Sequence, residues 1–320
     1  MIPKRVFISV GEVSGDNHAA GFVRALKELY PTILIEGIGG PRMAEAGATI
    51  HHETTRKAAI ALHALKRVRE LKRHEAWLRE RYRSTDKPDL HVCVDSSGFN
   101  LRFARLAKEA GVPVLYYVAP QLWASREGRI KQVRAYVDRL ASIFPFETEW
   151  YRARGVNATF VGHPLFDDLP ENRFDRVPMV RYPDRSPVIG VVPGSRKSEV
   201  KENLPGLIEV MKSIAQQYPL AQFVMPTTPA GHGMVTDMLE AAGILMPNQY
   251  RADPADGTQE NSVECLVEED AFDLLIPKCD LVLCKSGTST VHVAAYGVPM
   301  IVVYRINMLL WKAVGQWVIK

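Results

Sequence analysis

No apolar run in this sequence approaches the roughly 20 residues that a membrane-spanning helix needs, so a spanning protein is not expected. Cysteine is scarce: Cys93, Cys265, Cys279 and Cys284 are the four. Cys279 and Cys284 have no second Cys or His pair at zinc-ligand spacing, so no structural metal is expected. The plain expectation is buried thiols in a reducing, cytoplasmic compartment. There is no G-x-G-x-x-G run, hence no dinucleotide fingerprint, and no cofactor is expected. Internal repeats and low-complexity tracts are absent. A formal net charge of +4 is too small to point to nucleic acid. Met1-Ile2-Pro3-Lys4-Arg5 leads straight into an apolar stretch with no signal-peptide pattern.

What is present is an ordinary globular composition, 47% hydrophobic and 24% charged, over 320 residues. That length suits two domains, each able to bury a core. Short apolar runs at 6–10, 33–38, 90–94, 112–118, 139–144 and 158–161 read as buried strands, with helices at 17–29 and 101–110 between them. Polar, proline-rich residues 168–187 read as a linker. The pattern restarts with strands at 188–192, 222–226, 281–284 and 299–304 and a helix at 204–217. Residues 252–262 read as a loop. The expectation is an α/β protein of two Rossmann-like, doubly wound parallel-sheet domains, 1–167 and 188–306, facing a cleft.

In such sheets ligands gather beyond the carboxyl ends of the strands. The first strand runs into Gly11-Glu12-Val13-Ser14-Gly15-Asp16-Asn17-His18. Two acids there suit hydroxyl recognition better than phosphate binding, although Ser14 or Asp16 would also cap a helix. Asp95 follows Val92-Cys93-Val94 directly, a common position for a reacting carboxylate, with a cap on the helix starting near Asn100 as the alternative. Asp95 is the first candidate base, with Glu12 and His18 as competitors. Pro193-Gly194-Ser195-Arg196 follows an apolar strand and opens a helix, which makes Gly194, Ser195 and Arg196 an anion site. A second glycine-and-hydroxyl turn, Ser286, Gly287 and Thr288, stands at another strand end. Two such turns in one domain fit two parts of one nucleotide diphosphate, and ordinary capping is the alternative for the second.

Several further segments stand in order along the chain. They are Gly39-Gly40-Pro41-Arg42-Met43, Asp95 with Phe99-Asn100, Tyr116-Tyr117-Val118-Ala119-Pro120-Gln121-Leu122-Trp123-Ala124, Phe144-Pro145-Phe146-Glu147, Gly162-His163-Pro164-Leu165, and Arg196 with Glu199. Together with both turns they resemble the lipid-A-disaccharide synthase family over nearly the whole length. The resemblance implies a GT-B glycosyltransferase that inverts configuration without a metal. The implied donor is a UDP-sugar, UDP-2,3-diacylglucosamine. The implied acceptor is an acylated sugar phosphate, 2,3-diacylglucosamine 1-phosphate, and the product is the β-1,6 disaccharide. It carries functional roles onto Glu12, Asp95 and Arg196. His292 stands where the family has a glutamate beside the ribose, and Gly98 where it has a second aspartate. Another UDP-sugar transferase or epimerase, or a non-catalytic nucleotide-sugar-binding relative, remains open at this point.

Residues 66–83 carry eight Lys or Arg against three Glu, with Leu62, Leu65, Val68, Leu71, Trp77 and Leu78 at helical spacing. This segment reads either as a helix packed on the sheet or as a peripheral face for the inner membrane surface. Residues 307–320 end the sequence within an amphipathic stretch, read as the start of an incomplete helical segment of a C-terminally truncated relative.

Overall fold

The computed structural model describes residues 3–55, 64–84, 86–169, 187–247 and 263–304. The chain divides into two compact units that part between Asp167 and Asp168. The first unit runs β1 (Arg5–Val10), α1 (Val13–Leu29), β2 (Leu34–Gly39), α2 (Pro41–Glu45), β3 (Thr49–Glu53), α3 (Ala64–Arg83) and β4 (Leu90–Val94). It continues with α4 (Ser97–Glu109), β5 (Val114–Tyr117), α5 (Ile130–Tyr136), β6 (Arg139–Ser142), α6 (Pro145–Arg152), β7 (Ala158–Phe160) and α7 (Leu165–Asp168). The sheet order is β3-β2-β1-β4-β5-β6-β7, and every pairing is parallel.

Strand β1 shows why the sheet is covered on both faces. Successive side chains point to opposite sides. Phe7 joins a core with Leu78 of α3 and Leu101 and Phe103 of α4. Val6, Ile8 and Val10 join the opposite core with Ala19 and Val23 of α1 and Met43 of α2. A strand buried on both faces has to be apolar throughout, which is why it is visible as a run rather than an alternation. Leu71 and Trp77 pack against the first of these cores and Leu78 is fully buried, so this part of the basic helix turns its apolar side to the sheet. Leu62 lies outside the described residues.

The second unit runs β8 (Val188–Val192), α8 (Lys197–Gln217), β9 (Gln222–Thr227), α9 (His232–Ala241), β10 (Cys265–Glu269), α10 (Phe272–Leu275), β11 (Leu281–Lys285), α11 (Thr288–Ala295) and β12 (Met300–Val303). Its strands lie in the order β10-β9-β8-β11-β12, again all parallel. The four cysteines are buried free thiols, and burial pushes Cys93, Cys265 and Cys279 up to about 12 and Cys284 to about 11.

Several element boundaries differ from the expectation. Helix α8 begins at Lys197, directly after the turn expected to open a helix but seven residues before the stretch 204–217 that reads as helical, and carries Pro205 in its interior. A proline lacks the N–H that would bond back four residues, so it reads as a break from sequence alone. Helices α1 and α4 also begin four residues early, at Val13 and Ser97. Strands β3 and β10 were not expected. Both lie at sheet edges and mix polar with apolar residues, so neither reads as a buried run. The expected loop at 252–262, most of the linker and residues 307–320 lie outside the described residues.

The role suggested for Asp16 is corrected. Its side chain is buried and faces α2, where Oδ1 accepts the N–H of Gly40 (2.9 Å) and Met43 (3.3 Å) and Oδ2 accepts that of Arg42 (3.0 Å). An acid at a helix N-terminus satisfies donors that have no partner within the helix. A Cβ on Gly40 would stand 2.4 Å from Asp16 Oδ2, so only glycine admits this approach. Asp16 thus clamps α1 to α2 and offers no oxygen to a ligand hydroxyl. Asp16→Ala is expected to destabilise the protein by about 3 kcal/mol, because buried N–H groups lose a charged acceptor. Asp16→Asn, which has one acceptor oxygen, is expected to recover part of that loss in urea unfolding.

Two buried histidines make the fold sensitive to acid. Burial holds His91 down at about 3 and, with the neighbouring His52 and Arg73 charges, His74 at about 4. Both folded values lie below the ordinary 6.5, so the folded state favours the neutral rings. The stability they contribute is present above pH 6.5 and is lost as pH falls toward these folded values. Each histidine adds a slope of about 1.4 kcal/mol per pH unit in that window. Urea midpoints measured from pH 7.5 to 4.5 are expected to fall steadily below 6.5, and His74→Phe is expected to flatten the slope.

Candidate active site

In each unit the strand order reverses at one place, between β1 and β4 in the first and between β8 and β11 in the second. Helices leave the sheet on opposite faces there, so the loops after the two central strands diverge and leave a crevice. The candidate residues stand on those loops or in the first turns of the helices that follow them. Glu12 and His18 follow β1, and Asp95 follows β4. The Pro193–Arg196 turn follows β8, and the Ser286–Thr288 turn follows β11.

In the first unit, Asp95 and His18 come together. Ser14 Oγ lies 3.4 Å from Asp95 Oδ2, donating a long hydrogen bond. Burial lowers the His18 pKa, opposed by the Asp95 charge. His163 joins this group, its own pKa lowered by burial and then by His18. Its Nδ1 accepts the N–H of Leu165 (3.1 Å), so the remaining nitrogen carries the proton in the neutral ring. His163 stands in the Gly162–Leu165 segment outside the candidate residues; a histidine between glycine and proline carries no periodic signal. Glu12 is the exposed residue capping α1 and its carboxylate has no partner among the described residues.

The backbone beneath Asp95 is strained. Asp95 and Ser96 have φ of 53° and 38°, and Val118 at the end of β5 has φ of 60°. This left-handed region is uncommon for any side chain and costly for a β-branched one. A buried hydrogen-bond chain holds it. Asn100 Nδ2 donates to the carbonyls of Val94 (2.7 Å) and Asp95 (2.9 Å), and the Tyr116 hydroxyl donates to the same Asp95 carbonyl (2.6 Å). Ser9 Oγ donates to Asn100 Oδ1 (2.7 Å) and meets His91 Nε2 (2.8 Å), while Tyr82 meets His91 Nδ1 (2.5 Å). Since Ser9 spends its proton on Asn100, His91 Nε2 must donate and Nδ1 must accept from Tyr82. One neutral tautomer of His91 therefore satisfies every member.

In the second unit, β8 and β11 are paired through Cys284↔Val192, which brings their following turns side by side. Arg196 is exposed, while Gly194 has φ of 126° and could not carry a Cβ, which would lie 2.6 Å from Glu199 Cβ. Glu199 Oε2 accepts the N–H groups of Ser195 (3.1 Å) and Arg196 (3.4 Å), and Oε1 lies 3.0 Å from Lys285 Nζ. Burial, which would raise the Glu199 pKa, is outweighed by Lys285 and these N–H groups, so the carboxyl sits below its ordinary range. Helix α11 starts without a side-chain cap, and the hydroxyls of Ser286 and Thr288 have no partner among the described residues. His292 lies between Phe272 and Tyr296, stacked on both, with Nε2 2.7 Å from Asp273 Oδ1 but poorly aligned. The described residues contain no group of three or more His, Cys, Asp or Glu able to hold a metal ion.

A family model described as lipid-A-disaccharide synthetase matches residues 6–319. The chain belongs to that family. The lipid-A-disaccharide synthase of Trichlorobacter lovleyi is 36% identical over 317 residues, covering 97% of this chain and 77% of that protein. Those of Geobacter sulfurreducens and Coxiella burnetii are 34% and 33% identical, with 99% and 97% of this chain covered and 78% and 77% of theirs. Among solved structures, a putative UDP-N-acetylglucosamine 2-epimerase from Listeria monocytogenes aligns with a TM-score of 0.60 at 14% identity, over 96% of this chain and 80% of its own. The glycotransferase of kitacinnamycin aligns at 0.54 and 14%, over 96% and 82%. These two likenesses establish the GT-B fold.

The clamp on Asp95 gives a direct test. Asn100→Ala leaves the Asp95 turn held by Tyr116 alone and takes the acceptor from the Ser9 hydroxyl, at a cost of about 2–3 kcal/mol. It is expected to lower the unfolding midpoint. Ser96→Gly, which relieves a left-handed residue, is expected to recover about 1 kcal/mol in the same assay.

Proposed function

We propose that the chain transfers 2,3-diacylglucosamine from UDP to the 6-hydroxyl of 2,3-diacylglucosamine 1-phosphate, with inversion. The observation that carries this reading is the pair of glycine-and-hydroxyl turns standing side by side at the strand-order reversal of the second unit. A family whose members are lipid-A-disaccharide synthases supplies the substrates. Solved GT-B neighbours include a UDP complex and UDP-N-acetylglucosamine complexes, in keeping with a nucleotide-sugar donor.

The transfer asks for two things. The acceptor hydroxyl must lose a proton as its oxygen bonds to the anomeric carbon, and the departing UDP must be relieved of charge. Asp95 takes the proton in this reading. Its carboxylate is free of ion pairs among the described residues, and its backbone is locked by Asn100 and Tyr116. His18 and His163, held neutral by burial, are hydrogen-bond partners for sugar hydroxyls beside it. Arg196 supplies charge to the leaving diphosphate, and Ser286 and Thr288 offer hydroxyls to the nucleotide. Holding both substrates in line supplies much of the remaining rate. The acyl chains suit work at the cytoplasmic face of the inner membrane, and no helix among the described residues is long and apolar enough to cross one.

Incubation with the two acylated substrates, read by mass spectrometry, tests the activity; UDP release without disaccharide defeats the proposal. Asp95→Ala is expected to lower turnover by about 10²–10⁴-fold with UDP affinity retained. Arg196→Ala is expected to weaken UDP binding. Equal loss of UDP affinity in both variants would contradict the two roles.

A further inference from the structure

The donor site as read from the sequence draws on the N–H groups of the first turn. In the structure two of those, Ser195 and Arg196, are already accepted by Glu199 Oε2. A diphosphate arriving at this turn finds fewer free backbone donors than the motif suggests. The charge has to come from side chains, and Arg196 is one. Another cation at this place is Lys285, the last residue of β11, which belongs to neither turn motif.

Lys285 sits between the two turns. Its Nζ is 3.0 Å from Glu199 Oε1, on the helix that the first turn opens. It is also 3.6 Å from the point where a Cβ on Gly287 would stand, in the second turn. The side chain is about a quarter exposed, so the ammonium is oriented rather than loose. An ammonium has three N–H donors. Glu199 takes one, and the Gly287 side is open because glycine carries no side chain there.

We propose that Lys285 is a donor-binding residue that contacts the diphosphate of a nucleoside diphosphate, and that Glu199 is the positioning residue that aims it. The proposal rests on the donor reading above and adds a residue to it. Glu199 fixes both edges of the site with one carboxylate: Oε2 shapes the first turn, and Oε1 holds the lysine over the second. Arg196 and Lys285 then approach the diphosphate from the two turns.

Calorimetric titration of the full chain with UDP, uridine and inorganic pyrophosphate tests this. Lys285→Met keeps most of the unbranched side chain and removes the charge. It is expected to weaken UDP and pyrophosphate binding by about tenfold or more, as loss of a charge-assisted hydrogen bond does, and to leave uridine binding unchanged. Lys285→Arg is expected to bind UDP within a few-fold of the parent chain. Glu199→Gln, which keeps an acceptor but not the charge, is expected to weaken UDP less than Lys285→Met does. Unchanged UDP affinity in Lys285→Met, or an equal loss for UDP and uridine in a chain whose thermal unfolding is intact, overturns the proposal. If the parent chain binds pyrophosphate through Lys285 but not UDP, the anion site stands and the donor reading falls.

Discussion

Everything in this chain that bears on chemistry depends on one topological constraint, the reversal of strand order in each parallel sheet. Crossovers between parallel strands have a fixed hand. Building outward from a central strand in both directions therefore sends successive helices to opposite faces. Where the direction changes, the two central strands end in loops that move apart. Glu12 and Asp95 follow β1 and β4; the glycine turns follow β8 and β11. The same geometry, used once in each unit, gathers acids and histidines in the first and glycine, hydroxyl and cationic groups in the second.

A reversal provides a gap, and further interactions set what fills it. In the first unit the task is to hold a carboxylate at a strained backbone, and the protein does it from below. The chain Tyr82, His91, Ser9, Asn100 runs through the core and ends on the carbonyls of Val94 and Asp95. Such a network is costly when partly satisfied and rigid when complete. The burial that keeps His91 neutral, at about 3, is therefore part of the same device: a protonated ring would donate at both nitrogens and leave the Tyr82 hydroxyl proton without its acceptor.

Much of this was legible in the sequence, and the reasons are physical. Buried parallel strands read as continuous apolar runs, so β1, β4, β8 and β11 were expected, and the residues just beyond them became candidates. Edge strands β3 and β10 are half polar and carry no such signal. Helix α8 carries Pro205 in its interior, a cost that is local and is overruled by a helix that buries Val200, Leu204, Leu207 and Met211. Side-chain partnerships were least legible. Asp16 and Glu199 look alike in sequence to acids that meet a ligand, yet both accept backbone N–H groups within the fold. Lys285, a single lysine at a strand end, gives no pattern; only its contact with Glu199 shows which turn it faces.

The contrast between Asp16, Glu199 and Asp95 says what makes a carboxylate available for chemistry. Asp16 has three N–H partners and is buried, so both of its oxygens are consumed. Glu199 divides its oxygens between two N–H groups and an ammonium, which fixes a turn and a cation at once. Asp95 is held through its backbone instead, leaving its side chain with one long contact to Ser14. A general base, the role proposed for Asp95, needs this last arrangement, because proton transfer requires an oxygen free to accept and a position that does not drift. Supporting the main chain rather than the carboxylate meets both needs, and accounts for spending a buried polar network and left-handed residues at this one strand end.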